Sequence, residues 1–260
     1  MATTGSRIGA QMYTLRDHCK TASDIAKSCE KLKNMGFEAI QASAAGFNEL
    51  SAKELKQILD DTGLACVATH KSLDEMRDIE AVVDYHKTLD CELTAIGGNR
   101  GETQAEWQSF IQEFNDLGQK LAARGLKIGY HNHSHEWAPF GGAAPDAIRP
   151  IDLLVDGLDD SVWFELDTYW IAHGGGDPTA WIERVADRIP AVHVKDMTIT
   201  AEREQKMCEV GSGNLNWPAI LSACQSAGVE WYLIERDRGD LDPFESLKIS
   251  LENLRAMGVH

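Results

Sequence analysis

Acids, imidazoles and one lysine collect in a few short stretches of this sequence: His131-Asn132-His133-Ser134-His135-Glu136, Asp167, His193-Val194-Lys195-Asp196 and Glu235-Arg236-Asp237. Asp167, His193 and Glu235, joined by one of His131, His133 or Glu136, supply oxygen and nitrogen donors with no thiolate among them. Such a set suits a catalytic divalent ion (Mn²⁺ first, with Mg²⁺, Co²⁺ or Zn²⁺ as alternatives) rather than a structural zinc. For any one acid alone, a helix cap or a rim ion pair is an equally good account. For the set that account fails, because burying several such groups together is costly unless they are paired or bound to metal.

Other residues have weaker claims. Lys195 lies two positions beyond His193, so on an extended strand the two side chains share a face, and a lysine beside a metal can have a lowered pKa. Its structural role would be a salt bridge to Asp196 or Glu209. Arg236 is a candidate for binding a substrate carboxylate or hydroxyl, and Asp237 for orienting His193 from behind. His70 and His173 are read as substrate-binding. Trp137 and Trp170 follow ligand candidates on loops, and an indole packs well on the C–H face of a sugar, although ordinary core packing competes. His18 and His86 are read as structural. No Walker loop or G-x-G-x-x-G follows a strand, so no nucleotide cofactor is expected.

For these groups to meet, the segments carrying them must be brought to one place. Short apolar or β-branched runs alternate with amphipathic stretches throughout, the pattern of strand-helix units around a parallel sheet. The runs predict strands at 8–12, 37–41, 65–69, 93–97, 126–131, 162–166, 191–194 and 231–234. Between them, Ile25, Cys29, Leu32 and Met35 fall on one helix face that ends at Gly36, and Ser51 can cap a helix that stops at Gly63. A long helix from about Thr103 ends at Arg124-Gly125, Asp177-Pro178-Thr179 opens another, and a helix over 243–257 closes the chain. Eight such units without a Gly/Ser/Pro-rich linker predict one α/β domain over 1–260, a (β/α)₈ TIM barrel, which typically takes about 250 residues. Barrel sites are built at the C-terminal ends of strands, where Gln11, Gln41, His70, the 131–136 stretch, Asp167, His193 and Glu235 all fall.

Hydrophobic residues make up 43% and charged residues 25% of the 260, ample for a core. A net charge of −16 with scattered Lys and Arg argues against nucleic acid as a standing partner. The 6 cysteines form no CxxC pair and read as reduced core residues of a cytoplasmic protein. The opening MATTGSRIGAQ has no apolar run, and no apolar stretch approaches the length of a membrane span, so neither signal peptide nor membrane partner is expected.

The order of GLKIGYHNHSHEW, FELDTYWIAHGGGDP, HVKD, EVGSGNLNW and LIERD, after the QMYTLRD opening, resembles the sugar phosphate isomerase/epimerase group of the xylose isomerase-like TIM barrels over essentially the whole chain. The resemblance implies one divalent ion held by an acid after strand five, an Asp after six, a His after seven and a Glu after eight. These match Glu136, Asp167, His193 and Glu235, with His131 and His133 as substitutes for the first, because many relatives carry their Glu where this sequence has His131. It also implies that Lys195 acts on substrate or as an acid/base group, with Glu136, Glu235, His131 and His133 as further catalytic candidates.

The activity this implies is metal-assisted proton abstraction next to a carbonyl of a small carbohydrate, giving isomerisation or epimerisation. The same first step followed by loss of a β-substituent gives a lyase or dehydratase acting on an inosose or a 3-keto-glycoside. A nuclease like endonuclease IV is disfavoured by the charge, and a non-catalytic sugar-binding barrel would purify without stoichiometric metal. Assembly into a homo-oligomer stays open.

Overall fold

Alternation of side chains along each strand decides what this fold puts at its centre. The computed structural model describes residues 7–144 and 146–260; Met1–Ser6, where the expected domain begins, and Pro145 lie outside the described residues. Ten strands are described: β1 (Arg7–Gln11), β2 (Ala39–Ala42), β3 (Ala65–His70), β4 (Leu93–Ile96), β5 (Lys127–His131), β6 (Val162–Asp167), β7 (Ala191–Val194), β8 (Asp196–Ile199), β9 (Gln205–Cys208) and β10 (Trp231–Ile234). Eight of them close a barrel in the order β1-β10-β7-β6-β5-β4-β3-β2, with every neighbouring pair parallel. The expected (β/α)₈ barrel is therefore the fold.

The strands at 191–194 and 231–234 have the expected bounds and the other barrel strands differ at their ends by at most two residues, while one hairpin was not foreseen. Directly after β7, strands β8 and β9 form an antiparallel hairpin that projects from the barrel. Its strands, DMTI and QKMC, are four residues each and partly exposed; Met197 and Ile199 alternate with Asp196 and Thr198, but so short a run does not stand out from a loop in the sequence. The helix starts follow their caps. Ser51 and Glu54 form a reciprocal capping box, Thr103 and Glu106 another, and Asp177 caps the helix begun by Pro178. Gly63 ends its helix at φ 68°, a conformation that favours glycine. Among the described residues no helix is long and apolar enough to cross a membrane.

Outward-facing strand residues such as Ile8, Ile40, Ile128, Tyr130, Phe164, Leu166, Val192, Val194 and Ile234 belong to the large core beneath the helices. The inward-facing set makes a separate plug of Ala39, Ala95, Trp163, Ala191, Trp231 and Leu233. Gly129 leaves the room that the Trp163 ring fills, since a Cβ there would collide with the indole. Two residues above this apolar floor, the same inward positions become polar: Gln11 on β1, Gln41 on β2, His131 on β5, Glu165 on β6 and His193 on β7 are all buried.

Candidate active site

The inward-facing polar residues of this layer position one another around the barrel. Gln11 Nε2 donates to Gln41 Oε1 at 2.8 Å, and Gln41 Nε2 donates to Glu165 Oε1 at 2.7 Å. His193 Nε2 lies 2.6 Å from Gln41 Oε1, an acceptor, so this nitrogen carries the proton. His193 Nδ1 lies 3.0 Å from Glu235 Oε2 and 3.9 Å from Asp167 Oδ2; burial opposes the imidazolium charge, but Glu165 and Glu235 outweigh it and raise the pKa to about 10. His131 Nδ1 donates to the Glu165 carbonyl at 3.3 Å, which leaves Nε2 as its free donor atom. Asp167 is held by its backbone N–H on Asn132 Oδ1 and by accepting from the Trp170 N–H through Oδ1, which leaves Oδ2.

Ligand atoms of His131, Asp167, His193 and Glu235 lie within 4.8 Å of one another. Three of them, His193 Nδ1, Asp167 Oδ2 and Glu235 Oε2, are buried with no hydrogen-bond partner. Buried polar atoms rarely lack a hydrogen bond, and this convergence of oxygen and nitrogen donors, all of hard or borderline type and carrying more carboxylate than the Lys195 ammonium alone balances, fits a divalent cation. A second group of ligand atoms, from His70, His131, Glu165 and His193, lies alongside.

Lys195, wholly buried, places Nζ 2.9 Å from Asp167 Oδ2, 2.8 Å from Glu235 Oε2 and 2.8 Å from Asp237 Oδ2. Only the contact with Asp237 has hydrogen-bond geometry. Burial opposes the ammonium charge, but Asp167, Glu235 and Asp237 outweigh it and hold the pKa above its usual value, so Lys195 is a fixed cation. The anticipated partners Asp196 and Glu209 are engaged elsewhere. Asp196 accepts from the backbone N–H groups of Gly211 and Gly213 and from the Trp217 indole, and Glu209 pairs with Arg236. For Glu235, burial disfavours the charge, yet Lys195 and His193 keep it ionised.

Glu136, expected as the strand-five ligand, is placed elsewhere. The turn His135–Trp137 carries it toward the outward-facing side chain of Tyr130, whose hydroxyl donates to it at 2.8 Å, while the His133 N–H donates at 2.9 Å. Burial lifts its pKa to about 8. The strand-five member of the donor set is His131, the expected substitute.

Above this floor opens a cavity of about 530 Å³ lined in part by Tyr13, Ser43, His70, His131, His133 and Trp170. Burial, followed by Lys195, lowers the His133 pKa to about 4, so this imidazole is neutral near pH 7. Trp170 faces the cavity, with the Lys195 ammonium 5.3 Å from its ring centroid. Several expected contacts are not among the lining residues. Trp137 belongs to the core, edge-on to Trp181, and His173 stacks behind Trp170 against Tyr169. Arg236 turns away from the cavity, donating to Glu209 Oε1 at 2.7 Å and to the Leu241 carbonyl at 2.6 Å. Asp237 pairs with Lys195 rather than His193.

Glu165 is the main residue the sequence reading missed. Its signal was a charge two positions before Asp167 within an apolar strand, hence on the same inward face. Tyr13, Arg16, Ser43, Met207 and Arg238 also reach the cavity without having been singled out.

The chain belongs to the xylose isomerase-like TIM barrel family, whose model matches residues 29–257. The inosose dehydratase of Geobacillus thermodenitrificans is 29% identical over 161 residues, 55% of this chain and 52% of its own. The chain thus spans about half the length of the curated relatives it matches. Among solved structures, a sugar phosphate isomerase/epimerase from Parabacteroides distasonis superposes with a TM-score of 0.80 at 24% identity, covering 100% of this chain and 97% of that one. A xylose isomerase-like TIM barrel protein from Mycobacterium smegmatis in complex with magnesium gives 0.74 at 14% identity, covering 99% of this chain and 98% of that one.

Proposed function

We propose that this chain is a divalent-metal-dependent isomerase or epimerase of a hydroxy-ketone sugar or related polyol, working through removal of the proton next to the carbonyl. The observation that carries the reading is the convergence of buried ligand atoms from His131, Asp167, His193 and Glu235 within 4.8 Å of one another, three of which (His193 Nδ1, Asp167 Oδ2 and Glu235 Oε2) make no hydrogen bond although the two carboxylates are ion-paired with Lys195. An ion held by these residues supplies Lewis-acid stabilisation of the negative charge that develops on the carbonyl and neighbouring hydroxyl oxygens. Lys195 is a second, permanent cation beside the same oxygens and acts electrostatically, since its three acid partners keep it protonated. His133, neutral and on the cavity wall, is the group suited to accept the carbon-bound proton. Trp170 offers an indole face to the C–H surface of the sugar. The ion is Mn²⁺ in this reading; a similar fold solved with magnesium supports a hard divalent cation.

A lyase or dehydratase shares this first step and is the second reading. The specific support is the set of imidazoles at the mouth, His70, His131 and His133, which provides a general acid for a leaving group, together with the likeness to inosose dehydratases. One experiment tests both. Keto-sugars, inososes and 3-keto-glycosides are incubated with the protein and Mn²⁺ in deuterated buffer, and deuterium should enter the carbon next to the carbonyl. Asp167→Ala and Glu235→Ala should lose both the exchange and the stoichiometric metal. Full metal occupancy in both variants, or turnover with no exchange and no isotope effect, would sink the proposal.

A further inference from the structure

The carboxylate of Glu165 is fully buried and both of its oxygens are committed. Gln41 Nε2 donates to Oε1 at 2.7 Å, and His70 Nε2 stands 2.5 Å from Oε2. A carboxylate oxygen at that distance from a ring nitrogen has a proton between them, and the Gln41 amide already marks this group as an acceptor. His70 Nε2 is therefore the donor. His131 does not compete for the same oxygen, because its Nδ1 is 3.8 Å away and donates to the Glu165 backbone carbonyl instead.

The other nitrogen of His70 faces the cavity. Nδ1 lies 3.3 Å from Ser43 Oγ, and both residues line the cavity wall. Gly97 stands in front of it: a Cβ there would sit 3.8 Å from Nδ1, so the absence of a side chain leaves the nitrogen approachable. The His131 and His193 rings pack beside His70 at centroid distances of 5.3 and 5.8 Å and keep its ring from turning. We propose that Glu165 is a positioning residue which fixes His70 with its proton on Nε2, so that Nδ1 presents a lone pair to the cavity and accepts a hydrogen bond from a substrate hydroxyl, with Ser43 sharing that hydroxyl. The substrate-binding half of this rests on the reading of the cavity as a polyol site; the tautomer half does not.

The consequence is a preference for substrates with a hydroxyl donor at this point, since a ligand lacking one leaves Nδ1 with only its long 3.3 Å contact to Ser43 Oγ. Nitrogen NMR of magnesium-loaded protein labelled with ¹⁵N-histidine tests it, with the His70 signals assigned through His70→Gln. The His70 ring should carry its proton on Nε2 and none on Nδ1. In Glu165→Gln that preference should be lost. A wild-type His70 protonated on Nδ1 overturns the proposal without recourse to any variant, and an unchanged tautomer in a folded Glu165→Gln protein removes Glu165 from the role. Addition of excess scyllo-inosose should then shift the His70 Nδ1 resonance. Shifts at His131 and His133 with none at His70 overturn the hydroxyl contact. If no cavity histidine responds to any hydroxy-ketone, the polyol reading fails while the tautomer result still decides the role of Glu165.

Discussion

The Nε2 of His193 rests 2.6 Å from Oε1 of Gln41, and this contact determines which nitrogen of His193 faces Asp167 and Glu235. Partners behind a ligating histidine fix both its tautomer and its ring orientation, and losing one typically costs about 10–100-fold in metal affinity. Gln41→Leu should therefore weaken divalent-metal binding by about that factor while the barrel still folds. Competition against a chromophoric chelator measures it. Unaltered affinity in a folded variant would mean that the backbone alone orients His193.

Strand five offers a direct choice between two residues. His131 Nε2 belongs to the donor set, whereas the Glu136 carboxylate is occupied by the Tyr130 hydroxyl and the His133 N–H. His131→Ala should lower metal affinity by at least about tenfold, in line with the loss of a group at least as close as those behind the ligands. Glu136→Gln, nearly the same shape, should bind metal as the parent does. The reverse pattern in metal titrations would return Glu136 to the ligand set.

Lys195 couples stability to metal. Three carboxylates share its buried ammonium, so Lys195→Met leaves Asp167, Glu235 and Asp237 facing one another without their cation. Removing one partner of a buried ion pair commonly costs about 3–5 kcal/mol. Urea unfolding in the presence of a chelator should show a loss of that order, and saturating Mg²⁺ should recover part of it, because a cation then binds the native state where the ammonium was lost. A variant as stable as the parent in chelator would contradict the placement of Lys195 as the shared counter-charge.

How far the sequence carried this picture depends on parity. Asp167 and His193 were readable because Asp167 closes its apolar run and His193 stands one residue before the end of its own, at the strand ends where a barrel site is sought, and the face they take follows from counting by two. Glu235 follows from the same count along Trp231 and Leu233. Glu165 obeys the same rule but sits inside the run, where one charge among VWFEL looks like an irregularity; only the closed barrel shows that inward positions at that height are polar on several strands. Arg236 was misjudged because adjacency in sequence to Glu235 means opposite faces on a strand, which sends it outward to Glu209. Glu136 lies on a turn, where no periodicity applies. The β8–β9 hairpin was missed because each strand is only four residues long, too short for the Met197/Ile199 alternation to stand out.

His86, read from the sequence as structural, gives a prediction independent of the metal site. It is buried behind the barrel, with Nδ1 donating to the Val82 carbonyl at 2.6 Å and Nε2 2.7 Å from Thr69 Oγ1, which in turn lies 2.7 Å from Thr94 Oγ1. Burial lowers its pKa from 6.5 to about 4; the Val82 carbonyl pulls the other way without prevailing. Between those two values the unfolded chain binds a proton that the folded chain does not, so this contribution to stability is complete above pH 6.5 and disappears as pH falls through about 4. The full change is about 3 kcal/mol, at 1.36 kcal/mol per pKa unit. His86→Gln keeps a donor and an acceptor but cannot titrate. Urea unfolding of both proteins across this range, with metal held constant, should show the parent losing stability more steeply than His86→Gln as the solution is acidified. Parallel curves would mean that His86 titrates in the folded protein much as it does in the unfolded chain, and that the Thr69–Thr94 network accommodates an imidazolium.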